Sequence, residues 1–399
     1  MNSIRHKMDL TVRMNEAQKE AYMADYIKGQ LSVLDAILNG EGYLCSTFYI
    51  PNELFELFEV LPLFIERFAG FAAACKVLSH PVREAVTKGL PNCGCSYQML
   101  FDLLLRKGLI PKPEGFVASS FTCDDAWMYS YYASIRNKVP FFFLDINNRK
   151  NDTVRKYIAA RLEELYSSFS TKYKKKSSIK EVIAASNKAI EIKNKIDNLR
   201  MKYPRIISSV DAFKMFTIYN DLGKQSAVDV LQQFYNKVCE KASFYEAKEK
   251  PKLLWLGLLP LYRNTLILEI EKKYDCQIAF EEIFQFPSNT IEKNNLFQGL
   301  AERIMESVYF SLNQRTENLL KKVKDFDIDG VIHFSQNKCK FLPPSAVLLR
   351  RKLEAEGLPF VEIFGDAIDM EFYNENRLWD SMDIFFEQIY RRYRNVHMH

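Results

Sequence analysis

The chain has no apolar run long enough to cross a bilayer. Its most apolar stretch, near residues 61–79, is interrupted by Glu66, Arg67 and Lys76, whereas a membrane span needs about 20 consecutive apolar residues. The opening MNSIRHKMDLTV has no apolar core segment, so no secretory leader is expected. Charge of one sign is also missing: 55 Lys and Arg against 50 Asp and Glu leave a formal net charge of +5. The single basic run, Lys172 to Lys176 broken by Tyr173, reads as solvated surface, because a nucleic-acid face needs a wider basic patch interleaved with aromatics. The eight cysteines include no CxxC pair and are too sparse for a secreted disulfide framework. No GxxxxGK[ST] phosphate loop occurs either. These absences predict a cytoplasmic protein with no membrane or nucleic-acid partner and no such ATP-binding loop of its own.

What remains is an ordinary globular composition, 48% hydrophobic and 26% charged over 399 residues, enough for two or three domains with substantial cores. Residues 1–40 read as an amphipathic helical segment closed near Asn39-Gly40. Residues 41–150 alternate strand-like runs (GYLCSTFYI, Gly115–Thr122, Val139–Ile146) with helices, one of them started at Pro51. From 151 to 248 strand signals vanish and helical periodicity takes over, carried by Ile179, Val182, Ile183, Ile190, Ile196 and Leu199. From 249 to 399 the alternation returns: KLLWLGLLP, Asp275–Phe286, DGVIHFSQ and LPFVEIFGD are strand-like, with a long helical stretch over Asn295–Lys324 and an aromatic closing helix over Asn376–Arg394. Strand–helix–strand spacing predicts parallel βαβ units. The expected fold is therefore α/β, with two Rossmann-like (flavodoxin-like) parallel-sheet domains at 41–150 and 249–399 joined by a helical connector at 151–248.

Three cysteines stand out by position. Cys95 lies in NCGCSYQ, Cys123 in GFVASSFTCDD and Cys339 in DGVIHFSQNKCK. The last two share one grammar: a buried strand, then Cys, then polar residues opening a helix, which puts thiols where open α/β sheets collect ligands. Cysteine is also among the most buried residue types, so core packing competes with a metal-binding role. Converging thiols suit an iron–sulfur cluster or zinc. A zinc site on Cys93, Cys95 and Cys123 stays open, although structural zinc usually takes four ligands. Cys75, Cys239 and Cys276 read as core, and His333, inside a predicted strand, as a satisfied core histidine. Trp127, Tyr129, Tyr131 and Tyr132 read as core or interface, with an acyl pocket as the alternative.

Five segments carry a resemblance: GYLCSTFYIPNEL, CSYQ, TCDDAWMY, IDGVIHFSQNKC and LPFVEIFGDAID. In order and spacing over roughly residues 30–392, the chain resembles the 2-hydroxyacyl-CoA dehydratase and benzoyl-CoA reductase family, also called the D-component family of 2-hydroxyglutaryl-CoA dehydratase. The resemblance implies a [4Fe–4S] cluster on Cys95, Cys123 and Cys339, held between the two α/β domains, with one iron open to substrate. It implies a subunit of an (R)-2-hydroxyacyl-CoA dehydratase, a hydro-lyase of anaerobic amino-acid fermentation that converts a CoA thioester to the 2-enoyl-CoA through a ketyl radical. The implied partners are a paralogous second subunit, forming a heterodimer, and an ATP-dependent iron–sulfur activator protein. An aryl-CoA reductase subunit of benzoyl-CoA reductase type, or a non-catalytic partner subunit, is the alternative. Glu53 is then the expected general acid/base, Ser46 a group near the open iron, and Cys45 a neighbour of the site. Two departures bear on this. Phe284 stands where a double-cubane branch of the family needs a thiol. Asp380 and Ser381 replace the usual Thr-Arg near the C-terminus, which leaves the substrate group met there unassigned.

Overall fold

In a computed structural model, the structure describes residues 21–246, 249–285, 287–292 and 295–397, together with residues 6, 9 and 13. Of the helical segment expected over 1–40, most of residues 1–20 thus lies outside the described residues; the described part is mainly the helix Ala21–Leu38. Two four-stranded sheets follow, both wholly parallel. The first contains β1 (Tyr43–Ser46), β2 (Leu61–Phe64), β3 (Gly115–Ser119) and β4 (Phe141–Leu144) in the order β2-β1-β3-β4. The second contains β5 (Lys252–Gly257), β6 (Gln277–Glu281), β7 (Gly330–Gln336) and β8 (Phe360–Gly365) in the order β6-β5-β7-β8. These are two Rossmann-like, flavodoxin-like units, as the strand–helix alternation predicts. In each, strand order reverses beside the first strand, between β1 and β3 and between β5 and β7. The carboxyl ends flanking that reversal form the crevice in which such sheets bind ligands.

The inner strands are short, apolar and buried on both faces, as parallel strands covered by helices must be, whereas the edge strands β4 and β8 leave Phe141, Phe142 and Phe143 half-buried and Phe364 exposed. In the second sheet Leu253, Trp255, Ile332 and Phe334 pack on one side, and Leu254, Leu256 and Val331 on the other. Gly257 ends β5 at φ 80°, and a Cβ there would come within 2.6 Å of the Phe334 carbonyl oxygen. Only glycine allows so close an approach of β5 to β7 at the crevice.

Between the sheets run long helices. Ile179–Lys202 opens with a capping box of Ser178 and Glu181 and packs along Gln225–Ala242. Asp152–Lys172 packs against Leu296–Glu306, tying the first half to the second. Two details differ from the sequence reading. Strand β2 sits inside the apolar stretch 61–79, where four residues are too few for periodicity to separate strand from helix. The helical stretch 295–324 is two helices, Leu296–Glu306 and Leu312–Asp325, the second capped by Ser311 through the Gln314 N–H.

Under the crevice of the second sheet lies a buried ion pair. Arg315 donates to both carboxylate oxygens of Glu282 at 2.5 and 2.7 Å, with both side chains 0% exposed. Glu282 also accepts the Gly257 N–H at 3.1 Å. Cutting one partner of such a pair leaves an uncompensated buried charge, which costs far more than the pair contributes. Glu282→Ala is therefore expected to lower stability by about 3–5 kcal/mol in urea unfolding, with much of that recovered when Arg315→Met is added.

Candidate functional site

The carboxyl ends of β1, β3, β5, β6 and β7 open onto one cavity of about 490 Å³, within the range of small-molecule sites. Loops from both sheets line it: Thr47 to Tyr49 after β1, Phe121 to Cys123 after β3, Leu258 and Leu259 after β5, Ile283 after β6 and Cys339 after β7. Cys95, at the start of the helix Ser96–Arg106, joins them.

Cys95, Cys123 and Cys339 thus face the same cavity from three turns. Each stands at or just before a helix start: Ser96–Arg106, Asp124–Asn137 and Leu342–Ala355. Burial raises all three thiols, Cys123 to about 11. Cys95 is raised further by its neighbours Cys123 and Cys339, and Cys123 by Cys339. Backbone amides oppose the shift at each sulfur: those of Gln98 and Tyr97 at Cys95, Asp125 and Ala126 at Cys123, Leu342 and Phe341 at Cys339. At Cys339 this includes a hydrogen bond, from the Leu342 N–H to Sγ at 3.4 Å, whereas the other two helices have no completed side-chain cap. The Arg315 guanidinium also pulls Cys339 down. Positive helix ends and a buried guanidinium are suited to sulfur carrying negative charge.

Asp125 ties the three turns together. Two residues after Cys123, and only 4% exposed, its carboxylate accepts the Cys95 N–H at 2.9 Å and the Lys340 Nζ at 2.5 Å. Gln336 adds a second link between the sheets, donating to the Ser96 hydroxyl at 3.1 Å and to Asp366 at 2.8 Å.

The other expected site residues lie elsewhere. Glu53 is buried away from the thiols, where its Oε1 accepts from Ser186 at 2.6 Å and Arg303 at 2.9 Å. It lines a separate crevice with Tyr219, and Tyr219 packs on Phe48 and Tyr49 of the cavity wall. It is not among the residues lining the thiol cavity, and the ion pair with Arg303 anchors it behind that wall. Ser46 is fully buried and donates to the Thr47 carbonyl at 3.2 Å; Thr47, one residue on, is what reaches the cavity. Cys45 is core, and Cys93 is exposed. Cys75, read as core, is half-buried and faces the cavity. Trp127, Tyr129, Tyr131 and Tyr132 do not line it. His333 is core but not satisfied: among the described residues neither ring nitrogen has a hydrogen-bond partner, and burial lowers its pKa to about 3, so it is neutral.

The residue that sequence reasoning missed is Glu66. It opens the helix Ile65–Ala74 directly after β2 and lines the cavity. Burial raises its carboxyl to about 7, against backbone amides and a 2.8 Å hydrogen bond from Gln98. Its Oε2 is buried without a hydrogen-bond partner among the described residues. The signal is in the chain, a lone acid in an apolar stretch, but hydropathy alone treats it only as an interruption.

Two outcomes are expected. Asp125→Ala removes both bonds and should lower stability by about 2–3 kcal/mol and speed iodoacetamide labelling of Cys95, Cys123 and Cys339 relative to the already exposed Cys93, followed by mass spectrometry. Glu66 holds a proton in the folded chain that the unfolded chain releases between its ordinary value of 4.5 and about 7. Its contribution to stability therefore falls as pH rises through that window. Thermal unfolding of the wild type should decline over this range more steeply than that of Glu66→Gln; parallel declines would place the carboxyl at its ordinary value.

Among the described residues no helix is long and apolar enough to cross a membrane. The family described as 2-hydroxyglutaryl-CoA dehydratase, D-component, matches the chain over residues 47–389. No curated protein matches it.

Proposed function

Since the chain belongs to the 2-hydroxyglutaryl-CoA dehydratase D-component family and is accordingly a dehydratase-type subunit, we propose that it is the [4Fe–4S] subunit of an (R)-2-hydroxyacyl-CoA dehydratase. The observation that carries this reading is the meeting of Cys95, Cys123 and Cys339, from both halves of the chain, on one cavity wall. The donor set suits a cluster better than a single ion. Three thiolates on one zinc, with Zn–S of about 2.3 Å, would lie about 3.8 Å apart, and among the described residues these three sulfurs do not all lie within 4.8 Å of one another. A cubane spaces its ligands more widely. Bound there, a [4Fe–4S] cluster would supply a low-potential electron, and three thiols for four irons would leave one iron open.

The chain's own residues supply the proton chemistry. The β-proton of a 2-hydroxyacyl thioester is not acidic; electron entry at the thioester carbonyl gives a ketyl radical that expels the 2-hydroxyl and acidifies that proton. Glu66 is the acid/base this sequence needs. Titrating at about 7, it can protonate the departing hydroxide to water and then, ionised, accept the β-proton. The electron is recovered at the end, so the net change is loss of water. Thr47, Gln98 and Thr122 are among the uncharged polar groups on the wall and are available to orient the carbonyl. A paralogous second subunit and an ATP-dependent iron–sulfur activator complete the assembly in this reading, in keeping with the missing GxxxxGK[ST] loop.

Anaerobic purification tests it. A brown protein with about four iron and four sulfide per chain is expected, with both lost on changing Cys95, Cys123 or Cys339 to Ala and retained in Cys93→Ala. A colourless protein with stoichiometric zinc would overturn the cluster. With reduced activator and ATP, Glu66→Gln should lower turnover by about 10²-fold or more while iron content stays unchanged.

A further inference from the structure

We propose, resting on the dehydratase reading, that the acyl chain accepted here is apolar and uncharged, an aryl or branched-alkyl 2-hydroxyacyl group rather than one with a second carboxylate. The cavity wall is the first observation. Beyond the thiols it is overwhelmingly hydrocarbon: Phe48, Phe71, Phe121, Phe213 and Phe216 lie on it, with Leu259 from the second sheet. Phe48 stacks on Phe216 with ring centres 4.7 Å apart, so part of the wall is a flat aromatic surface that favours offset or edge-on packing by a ring.

The second observation is the state of the cations. A buried substrate carboxylate needs a partner, because an unpaired charge in such surroundings is heavily penalised. Arg67 lines the cavity, but its Nη1 is bonded to Asp221 at 2.7 Å, with side chains only 7% and 1% exposed. Breaking that pair to serve a ligand would strand Asp221. Lys214, the other cation on the wall, has a partner of its own. The resident carboxyl reports the same surroundings: Glu66 is pushed up to about 7 by burial, and a second carboxylate on the substrate would meet the same penalty without the hydrogen bonds that moderate it at Glu66.

The test is equilibrium binding to the iron-loaded protein as purified, by calorimetry under anaerobic conditions. The probes are the CoA thioesters of 2-hydroxy-3-phenylpropanoate, 2-hydroxy-4-methylpentanoate and 2-hydroxyglutarate. The first two are expected to bind roughly 100-fold or more tightly than the third, the cost of an uncompensated buried charge. Phe213→Lys, at a half-buried wall position, should narrow that gap by about 10-fold or more; Val210→Lys serves the same purpose on the same helix where Phe213→Lys fails to fold. Lys214→Ala should leave the order unchanged. Equal or tighter binding of the 2-hydroxyglutaryl thioester overturns this assignment and leaves the dehydratase reading intact. Reduction of benzoyl-CoA, with no dehydration of any 2-hydroxyacyl thioester, overturns the dehydratase reading and leaves the apolar assignment standing. Failure to bind any of the thioesters overturns both.

Discussion

A single carboxylate touches all three cysteine turns of this protein, with the Gln336–Ser96 bond as a second link between two of them. Asp125 sits in the turn of Cys123, takes the backbone N–H of Cys95 and pairs with the lysine next to Cys339. The Cys339 turn lies more than 200 residues from the other two, the Asp125–Lys340 separation being 215, whereas Cys95 and Asp125 are 30 residues apart. No local preference could bring them together. Burial gives the bond to Cys95 its force, since an amide and a carboxylate removed from water are costly to leave unpaired. Lys340 contributes direction more than energy, because its side chain is half in solvent, where ion pairs are weak. The cavity is therefore positioned by a polar knot, while the sheets around it are stabilised by apolar packing.

That division of labour follows from the topology. Two sheets with the same strand order each open a crevice at the point where order reverses. Helices beginning at that rim point their free amides and positive ends inward. Gly257 lets β5 close on β7 there, and Glu282 holds its amide from below while pairing with Arg315. The same guanidinium acts on Cys339, so a buried ion pair that would be poor value as a stabilising device also sets charge beside a thiol.

Much of the architecture was legible in the chain because periodicity and turn chemistry are local signals. The strand runs ending near Gly257, Gln336 and Gly365, the helical periodicity from Ile179 and the strand-then-cysteine grammar of Cys123 and Cys339 all reappear in the structure. Strand β2 and the break at Ser307–Ser311 did not register, since both are too short to impose a period. Glu53 lies off the cavity for a different reason. Glu53 and Glu66 both sit in the first turn of a helix just after strand-like residues, and sequence offers nothing to choose between them. What separates them is Arg303, 250 residues from Glu53, a partner visible only once the chain has folded. Ser46 lies one residue short of the cavity: along a strand adjacent side chains face opposite ways, and Ser46 is buried on the side of Leu44 while Thr47, past the strand end, lines the cavity.

The apolar wall and the raised carboxyl are one fact seen from two sides. The surroundings that push Glu66 to about 7 are those that favour a hydrocarbon acyl chain and penalise an anionic one. An acid that must both give and accept a proton near neutrality needs a poorly solvating cavity. A cavity lined to bind a charged substrate would carry a free cation, which would draw the Glu66 pKa back down and remove its capacity to act as an acid. Under the proposed function, substrate class and proton chemistry are thus coupled: a site that relied on Glu66 in this state would be poorly suited to a second carboxylate beside it.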